Sequence, residues 1–139
     1  MIALCGIPGS GKTTLSSRIA ADQNAILYCF DNRPGAFSPT KSKNVQLQMY
    51  EEIVDDLLRG RSVVCDDLHT KKIWRKNLLN AVSGIDCRKV LIVLTTPVEE
   101  CIRRNAGRQS RLPDTLIHTI NHKYEQPTLD EGWDGIVYV

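Results

Sequence analysis

Short apolar runs alternate along this chain with stretches whose apolar positions return every three or four residues. "MIALC" (1–5), "AILYCF" (25–30), "SVVC" (62–65), "KVLIVLTT" (89–96) and "GIVYV" (135–139) are the runs. Near-continuous apolar segments of this length suit strands covered on both faces. Between them the spacing predicts helices over about 11–21, 43–59, 71–83, from about 98, and 114–124. The clearest is 43–59, where Val45, Met49, Ile53 and Leu57 recur every four residues and Gly60 follows as a stop. Pro34, Gly35 and Pro39 predict a loop over 32–42. Strands alternating with helices argue for βαβ units, a parallel sheet and an α/β fold. Ligands of such sheets gather beyond the carboxyl ends of the strands. One rim should therefore collect the loop after Cys5, Asp31, and the pair Asp66 and Asp67.

The loop after the first run reads "GIPGSGKT" (6–13) and satisfies G-x-x-x-x-G-K-[ST] at every required position. Gly6, Gly9 and Gly11 leave nothing between the backbone and a ligand, so successive N–H groups can point at phosphate oxygens. The helix that follows presents its positive end to the same anion. Gly9, Ser10, Gly11, Lys12, Thr13 and Thr14 are thus the expected nucleotide-binding residues. Lys12 should reach the terminal phosphates, and Thr13 should give its hydroxyl to Mg²⁺. ATP and Mg²⁺ are the expected cofactors. The motif says nucleotide without naming a reaction. No N-K-x-D follows to read guanine, so a GTPase is not the expectation.

A small kinase needs an acceptor activator, a charge clamp and a cover against water. Asp31 ends the second run, where a carboxylate could accept the proton of an acceptor hydroxyl, typically worth about 10²–10⁴ in rate. Asp66 and Asp67 end the third run, where an acid holds magnesium or its water; spacing does not say which of them faces the site. In "CIRRNAGRQSRLP" (101–113), Arg104, Arg108 and Arg111 would share a face of a continuous helix. Planar, permanently charged guanidinium groups suit a closing lid, placed at about 103–113. Arg33 and His69 are candidates for contact with the acceptor. His118 and His122 are four apart but have no third ligand near them in sequence, so they carry no metal reading. Trp74 and Trp133 are read as core or as a surface that covers a nucleobase, and Met49 as core.

Length and composition add bounds. The 139 residues suffice for a single domain with one core, 1–139. No apolar run approaches the roughly 20 residues that span a bilayer, and no basic region precedes the first run, so neither a membrane nor a signal peptide is expected. Five cysteines without CxxC spacing read as reduced small hydrophobes in a cytoplasmic protein. The net charge of +2 diagnoses no partner, but its distribution does more. Residues 32–50 and 101–113 contain no acid, whereas Glu125, Asp130, Glu131 and Asp134 crowd the last sixteen positions. Local basic zones in a near-neutral chain suit an anionic ligand in a cleft.

Five segments together resemble the kinase domain of polynucleotide 5′-hydroxyl kinases. They are "GIPGSGKT", "DNR" (31–33), "VVCDDLHTKKIWRKNLL" (63–79), "RRNAGRQSRLP" (103–113) and "YEQPTLDEGWD" (124–134). The wider clan includes zeta-toxin kinases and the kinase of seryl-tRNA. The resemblance implies a P-loop NTPase three-layer sandwich, with five parallel strands in the order 2-3-1-4-5. It implies Lys12 and Thr13 in the phosphate and magnesium roles, and Asp31 as general base. It also implies Asp66 and Asp67 beside the acceptor, and Arg104 and Arg108 on the donor phosphates. The chain departs from the family on the acceptor side. Pro34 stands where an arginine three residues after the base usually grips a 3′-phosphate, and "DDLHT" brings His69 in place of an amide.

The expectation is therefore an ATP-dependent kinase acting on a hydroxyl of a nucleic acid. By default that is a 5′-hydroxyl end, with a hydroxymethylated base as a variant. Lys41, Lys43, Lys71, Lys72 and Arg75 are expected to track the phosphate backbone. The rival readings are a kinase of a small metabolite or aminoacyl-tRNA, and a nucleotide-dependent switch.

Overall fold

A computed structural model describes residues 1–139. Five strands form one parallel sheet: β1 (Ile2–Cys5), β2 (Ile26–Cys29), β3 (Val63–Asp66), β4 (Val90–Val93) and β5 (Gly135–Tyr138). Their order is β2-β3-β1-β4-β5, the order the resemblance implied. The joining helices are α1 (Lys12–Asp22), α2 (Ser42–Leu58), α3 (Lys72–Ala81), α4 (Val98–Ala106) and α5 (Asp114–His122). A 3₁₀ turn at Leu129–Glu131, which periodicity did not signal, leads into β5.

The strands carry apolar side chains to both faces. Ala3 and Cys5 of β1, with Val63 and Cys65 of β3, join Met49, Ile53, Leu78 and Trp133 in the larger core. The alternate residues Leu4 and Val64 pack on the opposite face against Ala20 of α1. Helices thus cover both sides, giving three layers. A third apolar knot, Ile7 with Cys101 and Ile117, joins the loop after β1 to the pair α4 and α5.

Position in the sheet explains what the site inherits. β1 lies between β3 and β4, pairing Leu4 with Asp66 and Cys5 with Val93. β2 pairs with β3 so that Cys29 lies beside Asp66. The ends of β1, β2 and β3 therefore share a rim, as the parallel reading required. That rim is braced from below. Arg75 of α3 is fully buried, and its Nε and Nη2 each donate to a carboxylate oxygen of Glu131 at 2.7 Å. Its Nη1 donates to the carbonyls of His69 and Glu125, both at 2.9 Å. The expectation that Arg75 tracks a phosphate backbone is therefore corrected. A guanidinium with no exposure and four internal acceptors is a cross-brace between α3, the loop after β3 and the C-terminal segment. No helix is long and apolar enough to cross a membrane.

Candidate active site

The glycine loop closes around its own lysine. Lys12 is buried, and its Nζ donates to the carbonyl of Ile7 at 3.1 Å. Gly9 and Gly11 have φ of 87° and 103°, the left-handed region that favours glycine. Gly9 is fixed doubly, because a Cβ there would run into the carbonyl oxygen of Cys101 in α4. Gly11 caps α1, which has no side-chain cap and no acid in its first turn. The first N–H groups and the positive end of the helix are thus left for an anion from outside. Ser10 is buried in the loop with no hydrogen-bond partner for its Oγ. Its carbonyl accepts from Thr96 Oγ1 at 2.9 Å and from Arg104 Nη1 at 3.4 Å.

Asp66 and Asp67 separate at the end of β3. Asp66 is buried as the last strand residue, and its Oδ2 has no partner. Asp67, half-buried, accepts from the N–H of Leu68 at 2.6 Å and lines a cavity of about 390 Å³ together with Asp31. The sequence left open which acid faces the site, and the fold divides the labour. Asp66 is buried and is the acid that most strongly favours the charged Lys12, whereas Asp67 lines the cavity. Burial lowers the Lys12 ammonium from its ordinary value, while Asp66, then Asp31 and Asp67, oppose that shift. Partial burial raises the Asp31 carboxyl, Asp67 and Asp66 push it further, and Lys12 and Arg108 pull it back. Lysine, base candidate and lid arginine therefore share one electrostatic environment, although they are separated by up to 96 residues of chain (12 to 108).

The donor set suits a divalent cation held mainly by phosphate oxygens. Thr13, the second residue of α1, has an exposed side chain, and Asp66 offers a buried, unpartnered carboxylate oxygen. No group of three His, Cys, Asp or Glu side chains is placed to hold a metal unaided. A cation here needs the nucleotide as well.

The arginine segment differs from its expectation. A continuous helix would put Arg104, Arg108 and Arg111 on one face, but α4 ends at Ala106. Arg104 belongs to the helix, where its Nε donates to Glu100 at 2.6 Å and its Nη1 reaches the carbonyl of Ser10. Arg108 lies in the loop beyond, and Arg111 pairs with Asp114 at 2.9 Å. The loop closes on Asn105, fully buried, whose side chain donates to the carbonyl of Leu112 at 2.8 Å and accepts its N–H at 3.1 Å. That clasp satisfies backbone groups no helix could serve once Gly107 and Pro113 bracket the segment. An Asn seven residues before its partner gives no periodic signal in sequence.

Two acceptor candidates are held by partners within the protein. His69 is 2% exposed, with φ of 46°, and its Nδ1 bonds the carbonyl of Leu4 at 2.9 Å. It stitches the loop after β3 to β1 and does not meet solvent. Arg33 donates twice to Glu52 of α2, at 3.2 and 2.6 Å, and lies 5.6 Å from the Tyr28 ring centroid. It anchors the loop that carries Asp31. Trp133 is core, and Trp74 lines the cavity beside Asp31 and Asp67. Phe37, absent from the expected site, lines that cavity too, and is 77% exposed. Its signal in sequence was an apolar ring alone in an acid-free loop.

The family model described as "Chromatin associated protein KTI12" matches residues 1–137. The chain belongs to the KTI12 family. The L-seryl-tRNA(Sec) kinase of Methanococcus maripaludis is 29% identical over 96% of this chain and 56% of its own length. The bifunctional polynucleotide phosphatase/kinase of Schizosaccharomyces pombe is 23% identical over 98% of the chain and 32% of its own length. The crystal structure of Chaetomium thermophilum Kti12 in complex with ADP-AlF3 superposes with a TM-score of 0.73 at 17% identity, covering 99% of this chain and 87% of that one. The chain thus spans about half the length, or less, of the curated relatives it matches. KTI12 membership places the glycine loop in a P-loop kinase-like fold. The resemblance to polynucleotide kinases and to the seryl-tRNA kinase recurs among the relatives.

Proposed function

We propose that this KTI12-family chain is an ATP-dependent phosphotransferase that delivers the γ-phosphoryl group to a hydroxyl carried by a nucleic acid. The observation that carries the reading is the parallel register of β1, β3 and β2, which sets the glycine loop, Asp66 and Asp31 along one rim of the sheet. Asp31, a carboxylate with raised proton affinity, also lines an open cavity on the side of the rim away from the glycine loop's own residues. Phosphoryl transfer is catalysed chiefly by position and by neutralising charge.

In this reading the amides of residues 9–14 and the Lys12 ammonium hold the triphosphate. Thr13, with Asp66 through water, would hold Mg²⁺, which neutralises charge on the bridging phosphate oxygens. Arg104 and Arg108 close over the donor, exchanging Glu100 and solvent for phosphate. Asp31 accepts the proton of the acceptor hydroxyl as that oxygen bonds to the γ-phosphorus and the bond from the γ-phosphorus to the ADP oxygen breaks, so that ADP leaves. Two relatives whose names carry a reaction act on hydroxyls borne by nucleic acids, a seryl-tRNA and a polynucleotide. That supports the acceptor class, and leaves tRNA and 5′-hydroxyl ends as the first acceptors to offer.

The test is direct. Labelled ATP and Mg²⁺ are supplied with 5′-hydroxyl oligonucleotides, oligonucleotides bearing hydroxymethyl bases, tRNA and free nucleosides. Label should pass to a nucleic acid. Label on nucleosides alone would make the protein a metabolite kinase. The KTI12 family's name, as a chromatin-associated protein, specifies no reaction, and this favours one second reading: a nucleotide-dependent switch. ATP hydrolysis with no labelled acceptor would establish that reading and overturn ours.

A further inference from the structure

The cavity of about 390 Å³ beyond Asp31 is not explained by phosphate binding. It lies between the loop after β2, the start of α2 and the start of α3, and is lined by Phe30, Phe37, Trp74, Lys43, Gln46 and Asp67 beside Asp31. Three aromatic rings around one opening are unusual in a chain that is only 6% aromatic. Phe37 keeps 77% of its surface in solvent, at a cost that packing into the nearby core would have removed. Its loop is nevertheless well anchored, by Arg33 on Glu52 and by the N–H of Ala36 on the carbonyl of Arg33.

The lysines around this opening form no ion pair, although Asp31 and Asp67 line it. All eight ion pairs of the molecule use arginine. Lys41 and Lys43 at the start of α2 are exposed without an acidic partner, and Lys71 stands 5.5 Å from the ring centroid of Trp74. Cations beside flat apolar rings, none of them held in an ion pair, match a ligand with π-faces and phosphates. A simple apolar peptide would leave the lysines unanswered, and an inorganic anion would leave the rings unanswered. The volume falls within the roughly 300–1,000 Å³ of small-molecule pockets and accepts one nucleoside.

We propose that this cavity seats the nucleobase of the nucleotide that bears the reacting hydroxyl, stacked on Trp74 and Phe37, with Lys43 and Lys71 on the phosphates that follow. Gln46 offers its amide to the base edge, and Asp31 faces the sugar. The inference rests on the nucleic-acid phosphotransferase reading and deepens it, because stacking is indifferent to base identity. The site should then accept many sequences but require a base. Phe37 and Trp74 are specificity-determining residues for the acceptor, remote from the transferring phosphoryl group.

Binding and transfer together test this. A single-stranded 5′-hydroxyl RNA hexamer and the same hexamer with an abasic first nucleotide are titrated against the protein, without ATP, by tryptophan fluorescence. The intact hexamer should quench the wild type. The abasic one should bind roughly 5- to 100-fold more weakly, the range expected of one lost base–aromatic stack. Trp74→Ala and Phe37→Ala should weaken the intact hexamer by a similar factor and leave the abasic hexamer where it was, read by anisotropy of a 3′ label. Trp74→Phe should recover most of the loss, which separates stacking from a merely structural role. Equal affinity for intact and abasic hexamers, or equal losses for both in the alanine variants, overturns the proposal. If base-dependent binding holds but label passes to no acceptor, the phosphotransferase reading fails and the stacking site stands.

Discussion

Asp31 shows how a single residue is tuned by its setting. Its folded proton affinity is raised, first by burial and then by Asp67, with Lys12 and Arg108 opposing. An acid whose folded pKa lies above its unfolded value stabilises the fold only when protonated, and that contribution is lost as pH rises through the folded pKa. Ionising Asp31 therefore works against the stability of the fold. Asp31→Asn should leave thermal stability unchanged or slightly higher at pH 7, while phosphoryl transfer falls by about 10²–10⁴ and ATP still binds. In the wild type, transfer should decline on acidification at a pH above that of an ordinary aspartate. A variant that retains full transfer moves the base elsewhere. Gly9 is constrained by sterics instead. Gly9→Ala meets the Cys101 carbonyl and a φ of 87°. The left-handed backbone should cost about 1–2 kcal/mol, and the overpacking about 1–3 more. Urea unfolding would measure it, and a cost under about 0.5 kcal/mol, the usual range of neutral surface changes, would mean that α4 yields easily.

Among the elements, the brace of α3 on the C-terminal segment matters most. Arg75 and Glu131 are both buried, with two hydrogen bonds between them. Burial alone would push the Glu131 carboxyl up, but its bonds from Arg75 hold it below the usual range. A depressed acid contributes stability above its unfolded pKa and loses it as pH falls through the folded one. The pair should therefore protect the fold at neutral pH and fail in acid. Arg75→Leu strands a buried carboxylate and should cost about 3–5 kcal/mol, while adding Glu131→Leu should return part of that loss. Chemical denaturation of the single and double variants decides it. Additive losses would mean that the two side chains do not act as a pair. The carbonyl of His69 hangs on the same guanidinium, so Arg75→Leu should also loosen the loop that carries Asp67.

At the scale of the whole molecule, the site belongs to no single element. The cradle comes from the β1–α1 loop, the acids from the ends of β2 and β3, and the arginines from α4 and the loop beyond. Anything that binds across them stabilises the folded state by mass action, about 2.7 kcal/mol at a hundredfold excess over Kd. For a chain of this size MgATP should raise Tm by roughly 5–10 °C. Lys12→Ala should abolish that rise and all phosphoryl transfer while the protein stays folded. Circular dichroism melts with and without MgATP report both effects, and an undiminished rise in the variant would contradict the assigned cradle.

Much of this was legible in the chain itself. Apolar runs and periodic stretches placed all five strands and five helices to within a few residues, because parallel strands buried on both faces must be apolar throughout. The phosphate loop was legible because its chemistry is local: glycines, a lysine and a hydroxyl at fixed spacing. Parallel topology then dictated that Asp31 and the acid pair meet the loop on one rim. The rest depended on contacts between distant segments. Whether Asp66 or Asp67 faces the acceptor follows from strand alternation at a point where β3 is already ending. Arg33 and His69 read as contacts for an acceptor and Arg75 as a contact for a phosphate backbone, yet each is claimed by a partner 19 to 65 residues away. Charge alone cannot distinguish a ligand's arginine from a brace, since burial and partnering are set by packing. The Asn105 clasp and the Phe37–Trp74 cavity are likewise products of packing, formed where a loop and two helix starts converge.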